Sequence, residues 1–600
     1  MARPVAKESG RSSMSTNESA LQPNPMPLPF EGVDRKTLLW AVVVIAFLFW
    51  QAADGFQEVV NAYRLFIDNP MEIFAEQYTA YFLLVHEFTV AVGACMVLIL
   101  DMIRPVGYRM KAPIITLWTN FISWGMVWYT QYQVSRYFNP AIGQYWGGQE
   151  TIDPFSLFLK SVAYVSSLYA TFLSMRSALP ENYMGEFYFL LEMNVLAMTF
   201  VVSSSDLLAM FVLTEFVSLA SYIMVSVRKD QPRAVEAGLK YFLFGSLCSA
   251  FLLLGILFLY GLTGTTNLYV MKETLHHAFG PGGTPQPIYF VAVTFVMVGL
   301  GFKLAIAPFH NWAADAYEGA PIPVVTFISV APKVATAAVL IRVLLLGLSN
   351  LAAIWVPTLL VMAALSMVIG NLFAIRQQNI KRFMAFSGIS QMGYMMLGFA
   401  AAGQVATYDT NGAVNSPGYN SILNYFIYYS FMVVGVLTIA NIVEWHTGHD
   451  TFYGFKGLGQ RAPASALTAT VCLLALAGIP PTGGFIAKFY VFAAALSQAG
   501  SNPMFYYVVL LGAAMAVVGA FYYVNLIRIM WVEPPPEGED APFQPDFLHR
   551  ILMLPPFIFL LFTFVPIPIM GGTLAQHLYN YAAGSYFLTF NVYFGTSPTG

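Results

Sequence analysis

Charged residues are scarce in this chain. Asp, Glu, Lys and Arg make up 10% of its 600 residues, whereas hydrophobic residues make up 58%. Soluble domains carry about 25% charged residues, so this composition excludes an ordinary soluble enzyme and predicts an all-α polytopic membrane protein. The formal net charge of −3 indicates no partner by itself. We expect membrane lipid around the chain, and no nucleic acid.

Cysteine is scarce too, and the three cysteines lie alone in separate apolar runs, at Cys95, Cys248 and Cys472. No pair has the spacing of metal or iron–sulfur ligands, so we interpret all three as small core residues. The sequence also lacks a Gly-rich dinucleotide fingerprint and a P-loop. We therefore expect no metal or cofactor in this chain.

Apolar runs long enough to cross a bilayer, about 20 residues each, recur along the chain. We predict one extra N-terminal helix at 37–53, for which a signal peptide is the alternative, although the run lies far from Met1 and lacks a clean cleavage site. Fourteen core spans are predicted at 79–101, 113–133, 155–175, 185–205, 206–228, 235–262, 287–312, 321–348, 353–375, 383–402, 419–444, 464–493, 504–532 and 551–572.

The chain divides into four predicted parts: a polar, disordered cytoplasmic tail (1–36), the extra helix with its loop (37–78), the fourteen-helix domain (79–572) and an outer tail (573–600). The positive-inside rule places the N-terminus in the cytoplasm and the C-terminus outside. With that orientation, the following basic residues are cytoplasmic: Arg104, Arg109, Lys111, Arg176, Arg228, Lys229, Arg233, Arg376, Lys381, Arg382, Lys456 and Arg461.

Two of the core spans are predicted to be broken. Pro308 follows Lys303 in FKLAIAPFHNW. In the run GIPPTGGFIAKFY, two prolines (480 and 481) and two glycines (483 and 484) come shortly before Lys488. Proline and glycine inside a span free backbone groups that protein or water must satisfy. Broken helices in corresponding halves of a chain are typical of transport sites built on inverted repeats, although a plain proline kink is the alternative.

Five charged residues lie inside the predicted spans: Glu215, Lys240, Lys303, Lys333 and Lys488. A charge at membrane depth costs about 2.5 to 3.5 kcal/mol on insertion scales and marks an ion or proton pathway by default. We predict a proton relay in which a carboxylate tunes a neighbouring lysine. The alternative is a set of purely structural ion pairs.

Other polar residues are harder to interpret. The Lys240 ammonium has the alternative of reaching the interface along its stem, and His310 either joins the relay or caps a helix terminus. We interpret Lys160 and Arg342 as residues that reach the interface in this way. His86 and Glu87 have no visible partner, and we expect Asp315 and Glu318 to be solvated in a loop.

Long motifs carry a resemblance to a known family. They are SSSDLLAMFVLTEFVSLASY (203–222), EAGLKYFLFGS (236–246), GLGFKLAIAPFHNWAADAYEGAPIPVVTFISVAPKVA (299–335), IKRFMAFSGISQMGYMMLG (380–398) and GIPPTGGFIAKFYVF (478–492). Together they resemble subunit N of proton-translocating NADH:quinone oxidoreductase, respiratory complex I, within the antiporter-like family that includes the L and M subunits and Mrp-type antiporters. A lysine at 488 favours N over M, and the lack of a long lateral helix after the last span favours N over L.

The resemblance implies two inverted five-helix repeats, each with a broken helix. It implies that Glu215 and Lys303 form the modulating pair, Lys333 the central relay and Lys488 the terminal site, and it places a further lysine at 240. NAD, FMN, iron–sulfur clusters and quinone would then bind in partner subunits, with K-, M-, J- and A-like membrane subunits as neighbours. The implied location is the bacterial cytoplasmic (inner) membrane.

The leading hypothesis is therefore a proton-translocating membrane-arm subunit, driven by quinone reduction elsewhere in the complex. The chain would belong to the enzyme as a subunit without a redox site of its own. A stand-alone Mrp-type Na⁺/H⁺ antiporter subunit is the alternative, and a purely structural membrane subunit is the third.

Overall fold

The computed structural model describes residues 84–103, 108–137, 143–145, 149–177, 179, 181–279, 285–403, 407–408, 414–538, 541–561, 563, 566–567 and 572–573. The predicted parts 1–36 and 37–78 lie outside these ranges, and so does the predicted outer tail apart from its first residue, Thr573. The described residues form a predominantly helical membrane protein.

Eighteen α-helices occur in the described ranges, and we number them in chain order. They are α1 Val85–Ile103, α2 Tyr108–Tyr137, α3 Pro154–Ser174, α4 Met184–Ser203, α5 Leu207–Val225, α6 Pro232–Thr263, α7 Leu268–Phe279, α8 Pro287–Lys303, α9 Asn311–Gly319, α10 Ile322–Ile341, α11 Ala352–Ala374, α12 Ile380–Ala402, α13 Pro417–Thr447, α14 Leu458–Arg461, α15 Pro463–Ala477, α16 Gly483–Ser497, α17 Met504–Trp531 and α18 Phe547–Leu561. A π-helical turn, Arg342–Gly347, continues α10, and short 3₁₀ turns occupy Glu181–Tyr183 and Ser349–Leu351.

Three antiparallel two-stranded hairpins complete the described structure. They pair β1 Gly143–Tyr145 with β2 Glu150–Ile152, β3 Thr407–Tyr408 with β4 Val414–Asn415, and β5 Pro566–Ile567 with β6 Gly572–Thr573. In the last predicted span, 551–572, helix α18 ends at Leu561, and the described residues that follow include β5 and the first residue of β6.

Helix boundaries follow from local sequence chemistry. The Asp206 carboxylate accepts hydrogen bonds from the first backbone N–H groups of α5, and the Asn379 side chain does the same for α12. Such caps satisfy donors that have no partner within the helix. At the other end, α6 and α13 stop at Gly264 and Gly448, whose positive φ angles of 71° and 73° suit glycine.

Among the described residues, nine helices are long and apolar enough to cross a membrane. Four more apolar helices are shorter, namely α8, α15, α16 and α18. The more polar helices α2 and α12 coincide with the predicted spans 113–133 and 383–402. Each predicted core span thus contains a helix, and the two predicted breaks are confirmed: α8 ends at Lys303, and α15 and α16 are separated by 478–482.

Helix α10 lies at the centre of the helical unit. Every residue of α10 and of the π-helical turn is buried. It packs against α3, α4, α5 and α13. Helix α10 runs unbroken through Pro332. Helix α10 therefore places Lys333 in the protein interior.

Candidate functional site

Glu215 of α5 and Lys303 of α8 are in direct contact. The Lys303 ammonium donates to Glu215 Oε1 at 2.7 Å and to Ser218 Oγ at 2.8 Å. It also donates to the Thr214 carbonyl oxygen at 3.2 Å, and Ser249 Oγ donates to Glu215 Oε1 at 2.6 Å. The lysine is therefore fully occupied by acceptors, and the predicted pair is brought together.

The first helix break positions Lys303 as the last residue of α8. Backbone groups freed by the break find new partners: Trp312 Nε1 donates to the Phe302 carbonyl at 2.9 Å, and the Ala307 N–H donates to Ser366 Oγ at 2.8 Å. Unpaired backbone groups at membrane depth are costly, so these bonds stabilise the break. The break therefore places the charged side chain of Lys303 at the C-terminal end of α8.

Lys333 lies in an uncharged pocket. Its ammonium donates to the Tyr429 hydroxyl at 3.3 Å and lies 5.8 Å from the ring centres of both Tyr317 and Tyr429. A Cβ on Gly388 would come within 3.0 Å of the Lys333 nitrogen. No carboxylate in the described ranges pairs with this buried lysine. The structure thus keeps Lys333 apart from the Glu215 charge.

Lys488 lies on α16, and its ammonium reaches the end of α15 at the second helix break. Its ammonium donates to the Leu476 and Ala477 carbonyl oxygens, each at 2.9 Å, and lies 4.8 Å from the ring centre of Tyr394. Those carbonyls are the last of α15, where the helix dipole is negative and favours a cation. The break therefore creates the binding site of this lysine.

An uncharged polar cluster lies beside Lys488, and the sequence analysis missed it. Gln391 Nε2 donates to the Leu476 carbonyl at 3.0 Å and to the Tyr523 hydroxyl at 3.2 Å, while the Tyr425 hydroxyl donates to Gln391 Oε1. The hydroxyls of Ser387 and Tyr523 are 2.5 Å apart. Polar residues inside the apolar run SGISQMGY were the available signal.

Lys240 lies apart from the other predicted relay residues. Its side chain is 42% exposed and forms ion pairs with Glu236 at 2.7 Å and Asp315 at 3.0 Å. Arg382 bonds Asp315 at 2.9 Å and Glu318 at 2.6 Å. The expectation of a solvated loop for Asp315 and Glu318 is wrong, because both belong to α9 and hold this network. Lys240 joins that network rather than the Glu215–Lys303 pair.

His310 immediately precedes α9 and is partly exposed. It makes no side-chain cap bond to the helix, and its Nδ1 is buried without a hydrogen-bond partner among the described residues. No contact joins it to Lys303 within that part of the chain. Its place in the relay stays a prediction.

Two interpretations of basic residues at span ends are wrong. Lys160 is fully buried and pairs with Glu87 at 2.6 Å, and Arg342 is 1% exposed and bonds both carboxylate oxygens of Asp153, at 2.9 and 3.0 Å. Both cations bind buried acids instead of reaching the interface. Spacing along one span does not reveal which acid another element contributes.

Outside the spans, a loop carboxylate is tuned by a cation. Asp450 pairs with the Lys381 ammonium at 3.2 Å and accepts from Asn379 Nδ2 at 2.9 Å. Burial alone raises the pKa of Asp450, but the Lys381 charge and the Asn379 bond outweigh it and hold the pKa below its ordinary value. The loop after α13 is thereby tied to the start of α12.

The three cysteines differ in burial. Cys248 and Cys472 are buried as expected, whereas the core assignment of Cys95 is wrong because it is exposed. Within the described ranges, no group of three or more His, Cys, Asp or Glu residues is arranged to hold a metal ion.

Comparisons with known proteins define the family of membrane proteins to which this chain belongs. The chain belongs to the NADH:quinone oxidoreductase/Mrp antiporter transmembrane family, whose model matches residues 204–515. It is 33% identical over 469 residues, covering 76% of this chain and 86% of the relative, to NADH-quinone oxidoreductase subunit N 2 of Chloroherpeton thalassium. It is 38% identical over 363 residues, 60% of this chain and 71% of the relative, to subunit N of Nitrosomonas europaea.

Solved structures agree with these relatives. A chain of respiratory complex I from Thermus thermophilus matches with a TM-score of 0.63 at 28% identity, covering 79% of this chain and 96% of that one. An archaeal membrane-bound sulfane sulfur reductase matches with a TM-score of 0.69 at 23% identity, covering 85% and 98%; this likeness concerns the fold alone. The resemblance to subunit N is confirmed.

Proposed function

We propose that this chain is a proton-translocating membrane-arm subunit of a NADH:quinone oxidoreductase, driven by quinone reduction in other subunits. The contact between Glu215 and Lys303 carries the proposal. A carboxylate and an amine meet there among apolar spans at a helix break, and ionisable groups at such depth mark ion or proton pathways. The names and structures of the relatives support the same function.

The architecture we propose has fourteen core spans in two inverted five-helix repeats, preceded by one extra helix. The breaks beside Lys303 and Lys488 support this arrangement, since discontinuous helices in corresponding halves are typical of inverted-repeat transport folds. Bacterial relatives support a location in the bacterial cytoplasmic membrane. The N-terminus is then cytoplasmic and the C-terminus outside.

The proton route we propose starts at Glu215 and passes through Lys303 and Lys333 to Lys488. When the Glu215–Lys303 contact loosens, the lysine loses the charge that favours its protonated form and releases a proton. Lys333 is a suitable proton acceptor. No carboxylate among the described residues pairs with it, so no negative charge fixes it in the protonated form. Lys488 then passes the proton out past the carbonyls of the second break. In this proposal Lys240 and His310 contribute beside α9, at the margin of the route from Glu215 to Lys488.

Other subunits complete the enzyme in this proposal. NAD, FMN, iron–sulfur clusters and quinone bind elsewhere in the complex, and this chain binds none of them. Its neighbours are K-, M-, J- and A-like membrane subunits together with lipid. The bacterial complex I match supports the presence of such partners.

The test is Lys303→Ala in the purified complex, reconstituted in proteoliposomes. We expect quinone reduction and proton pumping to fall together by about tenfold or more, since a lost acid–base group typically costs at least that. Lys303→Arg should also impair both, because arginine keeps its proton. The matched control is Lys229→Ala, which removes an exposed lysine paired with Glu186 at 2.5 Å. Wild-type pumping by assembled Lys303→Ala would reject the relay.

The stand-alone antiporter is separated from this function by isolation. The chain alone in liposomes should show no Na⁺/H⁺ exchange, because its proton movement depends on quinone reduction in partner subunits. Exchange by the isolated chain would favour the antiporter.

A further inference from the structure

A second group of buried polar residues lies in α1–α4 and does not include the Glu215–Lys303 pair. Glu87 of α1 accepts from the Lys160 ammonium of α3 at 2.6 Å, and His86 Nε2 lies 2.8 Å from Glu87 Oε1. His86 Nε2 and Lys160 Nζ are 3.2 Å apart. All three side chains are at most 2% exposed. We call them the α1–α3 triad.

Tyr164 continues this group one helical turn beyond Lys160 on α3. Residues four apart share a helix face, and the His86 and Tyr164 rings are 6.4 Å apart. Helix α3, which carries Tyr164, packs against α4, which carries Glu192. The Tyr164 hydroxyl is buried beside the side chains of Ser123 on α2 and Thr199 on α4. It therefore lies between the triad and α4.

Glu192 is the inner end of the group, near the middle of α4. It is fully buried, and its Oε1 accepts from Thr119 Oγ1 at 2.5 Å and from Asn120 Nδ2 at 2.9 Å. Its Oε2 is buried without a hydrogen-bond partner in the described part of the chain, and no cation there pairs with it. An isolated buried carboxylate is strongly disfavoured, so we expect Glu192 to carry a proton at rest.

Space for water is indicated by neighbouring polar atoms. Buried atoms without described partners line the same face of α2, at Thr116 Oγ1, Asn120 Oδ1 and Ser123 Oγ, and Ser167 of α3 adds another. Buried polar atoms are normally satisfied by protein or ordered water. We therefore expect ordered water along this row of polar atoms, which we call the polar seam.

The outer end of the seam is Glu150 in β2, before α3 begins. Strand β2 packs against α3 and α4, and Glu150 Oε2 is buried without a hydrogen-bond partner among the described residues. Burial raises the pKa of Glu150 to about 7, although Lys160 opposes the shift. A carboxyl with that pKa exchanges protons readily at neutral pH. Its place just before α3 puts it at the outer end of the helix that carries Lys160.

We propose that Glu192, Tyr164, the α1–α3 triad and Glu150 form a second proton pathway, from the middle of α4 to the end where α3 begins. Glu192 gives up its proton through water to the Tyr164 hydroxyl, which accepts one proton and releases its own, so it stays neutral. The triad receives that proton and passes it to Glu150. This inference rests on the proposed function, because a proton pathway has a role only in a proton-translocating subunit.

The experiment uses the whole complex in proteoliposomes and two isosteric variants, Glu192→Gln and Tyr164→Phe. Glutamine keeps an acceptor for Thr119 and Asn120, so assembly should survive. We expect both variants to lower proton pumping and quinone reduction at least about threefold. The matched controls are Glu186→Gln, an exposed residue of α4, and Tyr260→Phe, an exposed residue of α6.

A spectroscopic readout separates proton transfer from a merely structural role. Infrared difference spectra recorded during turnover should contain a carboxylic-acid band that shifts in D₂O and disappears in Glu192→Gln. Wild-type pumping by either variant, or the absence of a Glu192-dependent band, would overturn the second pathway. Lys303→Ala in the same preparation distinguishes the two proposals, because it lowers pumping by about tenfold or more if the route from Glu215 to Lys488 is right, whatever Glu192 does.

Discussion

Lys488 and Gln391 donate to one acceptor, the carbonyl oxygen of Leu476, at 2.9 and 3.0 Å. Gln391 also bonds Tyr425 and Tyr523. The second helix break thus connects the terminal lysine to a cluster of hydroxyl groups on α12, α13 and α17. Hydroxyls and amides that donate and accept at once can pass protons between lysines too far apart to touch.

Gln391→Met should therefore slow proton delivery to Lys488. The substitution keeps the side-chain volume but leaves the Tyr425 and Tyr523 hydroxyls short of a partner, at a cost of about 1–3 kcal/mol in stability. We expect pumping and quinone reduction to fall together by several-fold, measured in proteoliposomes on assembled complex. Gln377→Met is the control, since the partly exposed Gln377 side chain donates to the Phe373 carbonyl one turn earlier. Equal behaviour of the two variants would remove Gln391 from the pathway.

Asp315→Asn should impair the enzyme more than Lys240→Ala. Asp315 holds both Lys240, at 3.0 Å, and Arg382, at 2.9 Å, so it ties α9 to α6 and α12. Lys240 is partly exposed, and an exposed ion pair contributes only about 0–1 kcal/mol. The measurement is quinone reduction by assembled complex, with Lys303→Ala as the reference for a lost relay residue. A larger defect in Lys240→Ala than in Asp315→Asn would show that Lys240 belongs to the proton route itself.

Much of this site could be predicted from the sequence, because charges inside apolar runs are conspicuous. Glu215, Lys303 and Lys488 lie where their spans and the two breaks indicated. Gln391 was harder to find, because an uncharged polar side chain within an apolar run is a weaker signal than a charge until its partners are known. The interpretation of Lys160 was wrong for a related reason. The sequence gives its distance from the end of its span, but it does not show that Glu87 on another helix is its partner.

Asp450→Asn should destabilise the loop after α13 by an amount that does not vary between pH 6 and 8. The pKa of Asp450 lies below its ordinary value, so the stabilisation is fully present above the unfolded pKa of about 3.9 and is lost only as the pH falls through the lowered folded value. We expect a loss of about 0.5–1 kcal/mol, since the pair is partly exposed. The measurement is thermal unfolding of the complex in detergent at several pH values, with exposed Asp230→Asn as control. A difference that grows between pH 6 and 8 would contradict the assignment.

Gly478→Ala tests whether the second break holds Lys488 in place. Gly478 has a φ of +81°, and a Cβ there would lie 2.8 Å from Lys488 Cδ. The variant therefore combines backbone strain of about 1–2 kcal/mol with a displaced lysine. Gly448→Ala is the matched control, because it has a φ of +73° but no atom within 4 Å of the added Cβ. Both variants should lose similar stability in thermal unfolding, and only Gly478→Ala should lose pumping. Pumping lost equally in both would mean that backbone strain, and not the position of Lys488, limits the enzyme.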